Sequence, residues 1–183
     1  MFNGIITNTG KIKNIIKKNN NCSIEILSKL IFNKNDIGSS ISCSGACLTL
    51  ENYTNKISKF YLSKETLNKT IFKSSKKGDI INLEKPIKFG ESISGHFVQG
   101  HVDITSQVKK ITPIGKSCSI YFKLPKKFKK YIVHKGSISI NGVSLTIAKI
   151  TNDGFQISII PHTLKLTNLI HLSLSLADNE FTP

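Results

Sequence analysis

The sequence predicts an all-β fold of two tandem homologous domains, each a small closed barrel of about six short antiparallel strands. The chain contains ISCSGACLT at residues 41–49 and a related ISINGVSLT at residues 138–146, 97 residues later. Over residues 41–70 and 138–167, 10 of 30 positions are identical without a gap. This period exceeds the roughly 20–50 residues of a solenoid repeat and has the length of one small domain. Both copies alternate short strand-like segments with turn signals, and barrel closure would remove their exposed edges.

The elements follow from apolar alternation and from the turn residues between segments. Asn-Gly at residues 141–142, and Ser-Gly at the equivalent residues 44–45, indicate tight turns between paired strands. Pro161 suits a first helical turn, because its missing N–H would have no intrahelical partner there. Strands are expected at residues 22–27, 39–44, 47–53, 56–62, 79–83, 137–140 and 143–147, and short helices near residues 29–33, 63–71, 125–131 and 161–169.

A Pro and a Gly flank a break in periodicity at residues 85–90, which predicts the link between the copies. The domains are therefore expected to span residues 1–88 and 89–183, with a divergent or truncated end after about residue 168.

Composition excludes several classes of function. The net charge of +15 suggests a nucleic-acid partner, but all 26 basic residues are Lys and lie scattered along the chain. Arg, the usual reader of guanine edges, does not occur, so no nucleic-acid function is predicted. The sequence contains no run of 18 apolar residues, so no membrane helix is predicted, and the first residues do not resemble a signal peptide. The expected location is the cytoplasm.

Cysteine and histidine spacing does not favour a metal site. The four cysteines form no CxxC pair and are expected to be reduced. His96 and His101 could join Cys43 and Cys47 around a metal, but these spacings match no usual zinc pattern. No metal is predicted, and a glycine-rich turn with solvated imidazoles is the alternative interpretation of the two Gly-His pairs.

Comparison of the two copies indicates two related pockets with different roles. Cys47 corresponds to Ser144, Glu65 to His162, and His101 to Ile5, whereas the neighbouring Gly, Leu and Thr positions are identical. Polar differences therefore cluster around one equivalent region of each copy. The alternative for Cys47 is a small buried core residue.

Taken together, these motifs resemble the riboflavin synthase family. The likeness extends from residue 1 to about residue 169, and it includes MFNGII at residues 1–6, the two repeated motifs above, KETL at residues 64–67 and GHFVQGHVD at residues 95–103. The resemblance implies two six-stranded barrels and a homotrimer held by a C-terminal helix. It also implies dismutation of two 6,7-dimethyl-8-ribityllumazine molecules to riboflavin and 5-amino-6-ribitylamino-uracil, by transfer of a four-carbon unit without cofactor or metal. The active site would form between the N-terminal barrel of one subunit and the C-terminal barrel of a neighbour.

The resemblance also implies the residues of both pockets. A carbanion formed at the substrate C7 methyl group would be stabilised by backbone N–H groups and Thr hydroxyls. His101 could carry the proton, Cys47 or Ser144 could act as nucleophile or orient water, and Thr146 completes the predicted catalytic set. The N-terminal pocket is expected to use Phe2, Gly4, Ile5, Ile6, Ser40, Cys47, Leu48, Thr49, Tyr61, Leu62, Ser63, Lys64, Glu65 and Thr66. The C-terminal pocket is expected to use Gly100, His101, Val102, Lys135, Ser144, Leu145, Thr146, Ser158, Ile159, Ile160, Pro161, His162 and Thr163.

The chain departs from the family pattern near its end. The first copy has Gly-Asp and a strand at residues 78–83, whereas residues 174–181 show no such signal, and the trimerisation helix is not found. The second barrel is therefore expected to lack its closing strand, which puts the trimer in doubt. His162 also replaces the Glu usual in the family. Two alternatives to an active enzyme remain: a non-catalytic lumazine- or flavin-binding protein, and a degraded copy with impaired activity.

Overall fold

The computed structural model describes residues 1–18 and 21–172, and the backbone of residues 178–182. The first barrel closes in the order β1-β2-β5-β4-β3-β6 with antiparallel pairing throughout. Its strands are β1 (Asn8–Lys18), β2 (Asn21–Ser28), β3 (Ser40–Cys43), β4 (Ala46–Thr54), β5 (Ile57–Leu62) and β6 (Ile80–Glu84), and helix α1 (Lys64–Lys69) follows β5. The predicted all-β class and the six-stranded barrel are confirmed.

The second barrel repeats this arrangement and closes in the order β10-β11-β8-β7-β12-β9. Its strands are β7 (Ile104–Ile114), β8 (Ser117–Lys123), β9 (Ser137–Ile140), β10 (Val143–Ile150), β11 (Gly154–Ile159) and β12 (Asp178–Thr182), and helix α2 (Pro161–Leu166) follows β11. Register irregularities repeat as well: one lies between Ile12 and Asn14 and its counterpart between Val108 and Lys110. Such bulges bend a strand and increase its twist, which suits a small closed barrel.

The expected absence of a closing strand in the second barrel is wrong. Strand β12 pairs with β7, where Phe181 lies opposite Ile104, and with β9, where Phe181 lies opposite Ile140. A strand joins a sheet edge through its backbone N–H and C=O groups, so the Gly-Asp turn of the first copy is not required for pairing. The second barrel therefore closes with a different local sequence.

The predicted helices are shorter than expected or of another type. Residues 29–33 are not helical, because the Asn33 side chain caps a 3-10 turn that begins only at Lys34. The segment near residues 125–131 forms a 3-10 helix, Lys126–Tyr131. Both α-helices are confirmed, with Pro161 in the first turn of α2, and each is followed by a 3-10 turn. Among the described residues, no helix is long and apolar enough to cross a membrane.

The two halves of the chain exchange the segments that precede their first strands. These leading segments are residues 1–7, before β1, and the equivalent residues 97–103, before β7. Ile6 is buried in the core of the second barrel, and Val102 is buried in the core of the first. The segments cross at Phe2 and Val98, which exchange backbone hydrogen bonds of 2.8 and 3.0 Å. Phe2 is fully buried there. Because residues 2 and 98 are equivalent in the repeat, this crossing resembles the self-complementary contact of a two-fold dimer.

A buried cluster of amides joins the barrels at a second place. The Asn168 backbone N–H donates to the Asn82 side-chain oxygen at 2.7 Å, and the Asn82 amide donates to the Asn168 side chain at 2.9 Å and to the Asn141 carbonyl at 2.8 Å. The Asn168 amide donates to Ser44 Oγ at 3.2 Å and to the Ile80 carbonyl at 3.0 Å. Since buried amides are costly without partners, this satisfied cluster favours one relative orientation of the barrels.

Candidate functional site: two unlike half-sites

The first half-site is a cavity of about 210 Å³ at the mouth of the first barrel, completed by a segment from the second half of the chain. Cys47, at the start of β4, lies beside residues Ser63–Thr70 around α1 and faces the incoming segment. The cavity is lined by Ala46, Cys47, Ser63, Glu65, Thr66, Lys69, Thr70, Gly100, His101 and Val102.

Backbone geometry brings Gly100 against Cys47. The Cys47 N–H donates to the Gly100 carbonyl at 2.8 Å. Gly100 has φ of +82°, and a Cβ there would lie 2.7 Å from the Cys47 Cβ, so this approach requires glycine. The bond holds the following residue, His101, at the cavity that contains the Cys47 thiol.

Charged side chains lie on the side of this cavity that α1 forms. The Ser63 side chain caps α1 by accepting from the Thr66 N–H at 3.2 Å. Glu65 pairs with Lys69 at 3.3 Å across one turn of the helix. Burial raises the pKa of the Asp103 carboxyl, whereas Lys69 and His101 act in the opposite direction. The half-site therefore combines a half-buried thiol, an imidazole and an ion pair around a small polar space.

The second half-site has the same backbone frame with different side chains. The Ser144 N–H donates to the Gly4 carbonyl at 2.8 Å, as the Cys47 N–H does to Gly100. Gly4 has φ of +72°, and a Cβ there would lie 2.7 Å from the Ser144 Cβ. His96 brings its Nδ1 to 2.6 Å from Ser144 Oγ. The hydroxyl of Ser144 thus has an imidazole partner.

A buried carboxylate holds the segment that reaches the second half-site. Glu84, at the end of β6, accepts hydrogen bonds from the N–H groups of Asn3 at 2.6 Å and Gly4 at 3.1 Å. Burial raises the pKa of Glu84 to about 7, against the lowering effect of the backbone N–H groups of residues 3–5 and of the N-terminal ammonium. The first barrel therefore positions backbone atoms of the second half-site.

The structure corrects the predicted assignment of residues to pockets. Gly100, His101 and Val102 belong to the first half-site, not to the C-terminal pocket, and Gly4 belongs to the second. Of the four predicted catalytic residues, Cys47 and His101 line the first half-site, whereas Ser144 and Thr146 lie two positions apart on β10. The assignment was wrong because sequence neighbours were expected to stay in their own barrel, whereas the leading segments cross over.

Other predicted site residues occupy varied positions. Phe2, Leu48, Leu62, Leu145 and Ile159 are buried in the packed interior, whereas Ile5, Tyr61 and Ile160 are exposed. Ser40 pairs with Thr49 between β3 and β4, Ser158 lies on β11, Lys64 begins α1, and Lys135 donates its N–H to the Ile147 carbonyl at 2.9 Å. Ile6 enters the second core, and Pro161, His162 and Thr163 lie on α2.

Sequence reasoning missed several residues of these half-sites. Ala46, Lys69 and Thr70 line the first cavity. Thr70 had a signal, because it matches Thr167 in the repeat, but the other two had none. His96 was considered only as a metal ligand, and Glu84 was not singled out. The contact of His96 with Ser144 joins residues 48 positions apart, and that of Glu84 with Asn3 joins residues 81 positions apart, so neither shows in a local pattern.

Comparison with known proteins agrees with this architecture. The lumazine binding domain family matches residues 3–86 and 99–176. Riboflavin synthase of Photobacterium leiognathi is 37% identical over 175 residues, which are 95% of this chain and 80% of that protein. Riboflavin synthase of Bacillus subtilis (strain 168) is 37% identical over 169 residues, 91% of this chain and 78% of that protein.

Solved structures show the same fold. A LumP complex with riboflavin superposes with a TM-score of 0.86 at 28% identity, covering 100% of this chain and 98% of that one. A LumP complex with 6,7-dimethyl-8-(1'-D-ribityl) lumazine gives 0.86 at 26% identity, covering 100% and 99%. The fold and the two matched segments define a protein built of two tandem domains of the lumazine binding domain family. The chain belongs to the riboflavin synthase family.

Proposed function

We propose that this protein is a riboflavin synthase, a transferase that moves a four-carbon unit between two molecules of 6,7-dimethyl-8-ribityllumazine. The products are riboflavin and 5-amino-6-ribitylamino-uracil. The observation that carries the proposal is the pair of half-sites with one backbone frame and unlike side chains, Cys47 in one and Ser144 in the other. A dismutation needs two sites that accept the same molecule and treat it differently, and two equivalent half-sites with unlike side chains support this proposal.

The side chains suit the steps that such a transfer requires. One substrate must lose a proton from its C7 methyl group, and the resulting negative charge spreads into the pteridine ring, where hydrogen-bond donors stabilise it. The exposed imidazole of His101 can carry that proton. The Cys47 thiol and the Ser144 hydroxyl each lie at the start of a strand, where they can contact the reacting carbons.

Assembly would bring the two half-sites together. We propose a homotrimer in which the first half-site of one subunit faces the second half-site of its neighbour, so that two bound rings lie face to face. Holding two reactants in this way supplies much of the rate in a bimolecular reaction. Sedimentation velocity of the active preparation tests this, and a purely monomeric active protein would contradict a site shared between subunits.

The decisive experiment is turnover of purified protein with 6,7-dimethyl-8-ribityllumazine, followed by the absorbance of riboflavin. A His101→Gln variant should lose about 100-fold in turnover, the usual contribution of a general acid–base. His134→Gln is the matched control, because His134 is exposed and bonds to the Ala148 carbonyl outside both half-sites. Full turnover of His101→Gln would remove His101 from the mechanism.

A second candidate is a non-catalytic lumazine- or flavin-binding protein. It is favoured by the whole-chain similarity to LumP structures whose ligands are riboflavin and the ribityl lumazine. The same experiment separates the candidates: tight binding of the lumazine without riboflavin formation supports a binding protein. Neither binding nor turnover would indicate a degraded copy.

A further inference from the structure

Ser144 and Cys47 occupy equivalent places, yet only the Ser144 hydroxyl is paired with an imidazole among the hydrogen bonds of the described residues. The His96 Nδ1 lies 2.6 Å from Ser144 Oγ, which is within the normal range for a hydrogen bond to a hydroxyl. The first half-site instead presents a thiol beside the exposed His101. The two half-sites therefore differ both in the side chain at this position and in its hydrogen-bond partner.

The backbone around His96 is held in place by the leading segment. The Gly95 N–H donates to the Asn3 side-chain oxygen at 2.9 Å, and the His96 N–H donates to the Asn3 carbonyl at 3.2 Å. A Cβ at Gly95 would lie 2.1 Å from that carbonyl and 3.0 Å from the Ser144 Cβ, so only glycine allows this approach. Two hydrogen bonds to Asn3 and the close approach at Gly95 therefore hold the His96 imidazole next to Ser144. An incidental surface contact would not need these three features.

The second ring nitrogen of His96 has unused hydrogen-bonding capacity. Its Nε2 is buried and has no hydrogen-bond partner within the part of the chain that the structure describes. Burial lowers the pKa of His96, which favours the neutral ring. A neutral imidazole has one donor and one acceptor nitrogen, so its tautomer determines whether Ser144 donates to His96 or accepts from it. In either case the hydroxyl loses its rotational freedom.

We infer that His96 is a positioning residue that orients the Ser144 hydroxyl toward the lumazine bound in the second half-site. This inference rests on the proposed function and deepens it. The oriented hydroxyl gives the second half-site a directed hydrogen bond to the ring that the thiol of the first cannot match. The two half-sites therefore differ in affinity for the same ligand, and His96 maintains that difference.

The test uses side chains that replace one ring nitrogen at a time. Asn places a polar atom near the position of Nδ1, and Gln places one near Nε2. Titration with 6,7-dimethyl-8-ribityllumazine, followed by its fluorescence, gives the affinity of each half-site. His96→Asn should keep the tighter affinity within about threefold, whereas His96→Gln should weaken it roughly tenfold, the loss expected for one hydrogen bond.

A double-mutant cycle supplies the second readout. If His96 acts through Ser144, then Ser144→Ala and the combined His96→Gln, Ser144→Ala variant should bind with the same affinity. His134→Asn is the matched histidine control and should bind as the parent does. Thermal unfolding of each variant separates loss of fold from loss of orientation, and the Asn and Gln variants differ by only one methylene group.

Each outcome decides the inference. Rescue by Asn but not Gln, with no added loss in the double variant, supports it. Equal affinity of the His96→Gln variant and the parent overturns it and leaves the proposed function intact. Failure of the parent protein to bind the lumazine overturns both.

Discussion

The buried carboxyl of Glu84 makes the stability of this protein depend on pH. Glu84 is 7% exposed, and burial raises its pKa to about 7, whereas its ordinary value is 4.5. A carboxyl whose pKa is raised by folding binds its proton more tightly in the folded chain. Its contribution to stability is therefore complete below pH 4.5 and is lost as the pH rises through about 7.

The size of the effect follows from the two pKa values. Each pKa unit is worth about 1.4 kcal/mol, so the free energy of unfolding should fall by roughly 3 kcal/mol in total. About 2 kcal/mol of that change should occur between pH 5 and pH 7.5. The charged group that acts on Glu84 among the described residues is the N-terminal ammonium, which opposes the effect of burial.

The perturbation is Glu84→Gln, which keeps the shape of the side chain and removes its titration. Urea unfolding followed by circular dichroism suits this chain, which has no Trp. The informative quantity is the difference in free energy of unfolding between parent and variant at each pH, because every other ionisable group is the same in both proteins. That difference should change by about 2 kcal/mol between pH 5 and pH 7.5, with the parent losing stability relative to the variant.

The matched control is Glu51→Gln. The Glu51 side chain is 42% exposed and lies 4.0 Å from Lys59, so its replacement should change the free energy of unfolding by at most about 1 kcal/mol. Parallel pH profiles of Glu84→Gln and the parent, within about 0.5 kcal/mol over this range, would contradict the raised pKa of Glu84.

Two further predictions concern the contacts that join the halves. Gly100→Ala should lower the free energy of unfolding by about 3 kcal/mol, because it combines left-handed backbone strain with a clash at Cys47. The control is Gly38→Ala, which should cost about 1 kcal/mol, because Gly38 has φ of +84° but open space around it. Equal losses in urea unfolding would argue against the clash. Asn168→Ala should cost about 2–4 kcal/mol, since it leaves the Asn82 amide short of a partner; a loss below 1 kcal/mol would show that the buried cluster contributes little.

Much of the fold could be predicted because its signals are local. Strands β3, β4, β9 and β10 alternate clearly, and the Asn-Gly turn between β9 and β10 specifies an antiparallel pair. Strands β1, β7, β8 and β11 were not among the expected segments. In β1 and β7 only Gly10, Ile12, Ser106 and Val108 are buried, so polar residues dominate the pattern of these two strands. Strand β12 was missed because backbone pairing tolerates a sequence without the turn residues of the first copy.

The candidate residues were predicted better than their grouping. The repeat identified Cys47, Ser144 and His101 as positions where the copies differ. It did not reveal the contact of His96 with Ser144 or of Glu84 with the leading segment, because both depend on distant parts of the chain meeting in space. The roles of these residues in catalysis stay predictions until the variants are measured.

The repeat is visible in the sequence, which therefore predicts two copies of one barrel with unlike residues at equivalent places. Which segment completes which half-site follows from tertiary contacts alone. Gly4 and Gly100 are equivalent in the repeat, and either could offer its carbonyl to Cys47 or Ser144 with the same local geometry. The crossing of Phe2 with Val98 places each segment on the opposite barrel, and long-range packing of this kind leaves no trace in local sequence pattern.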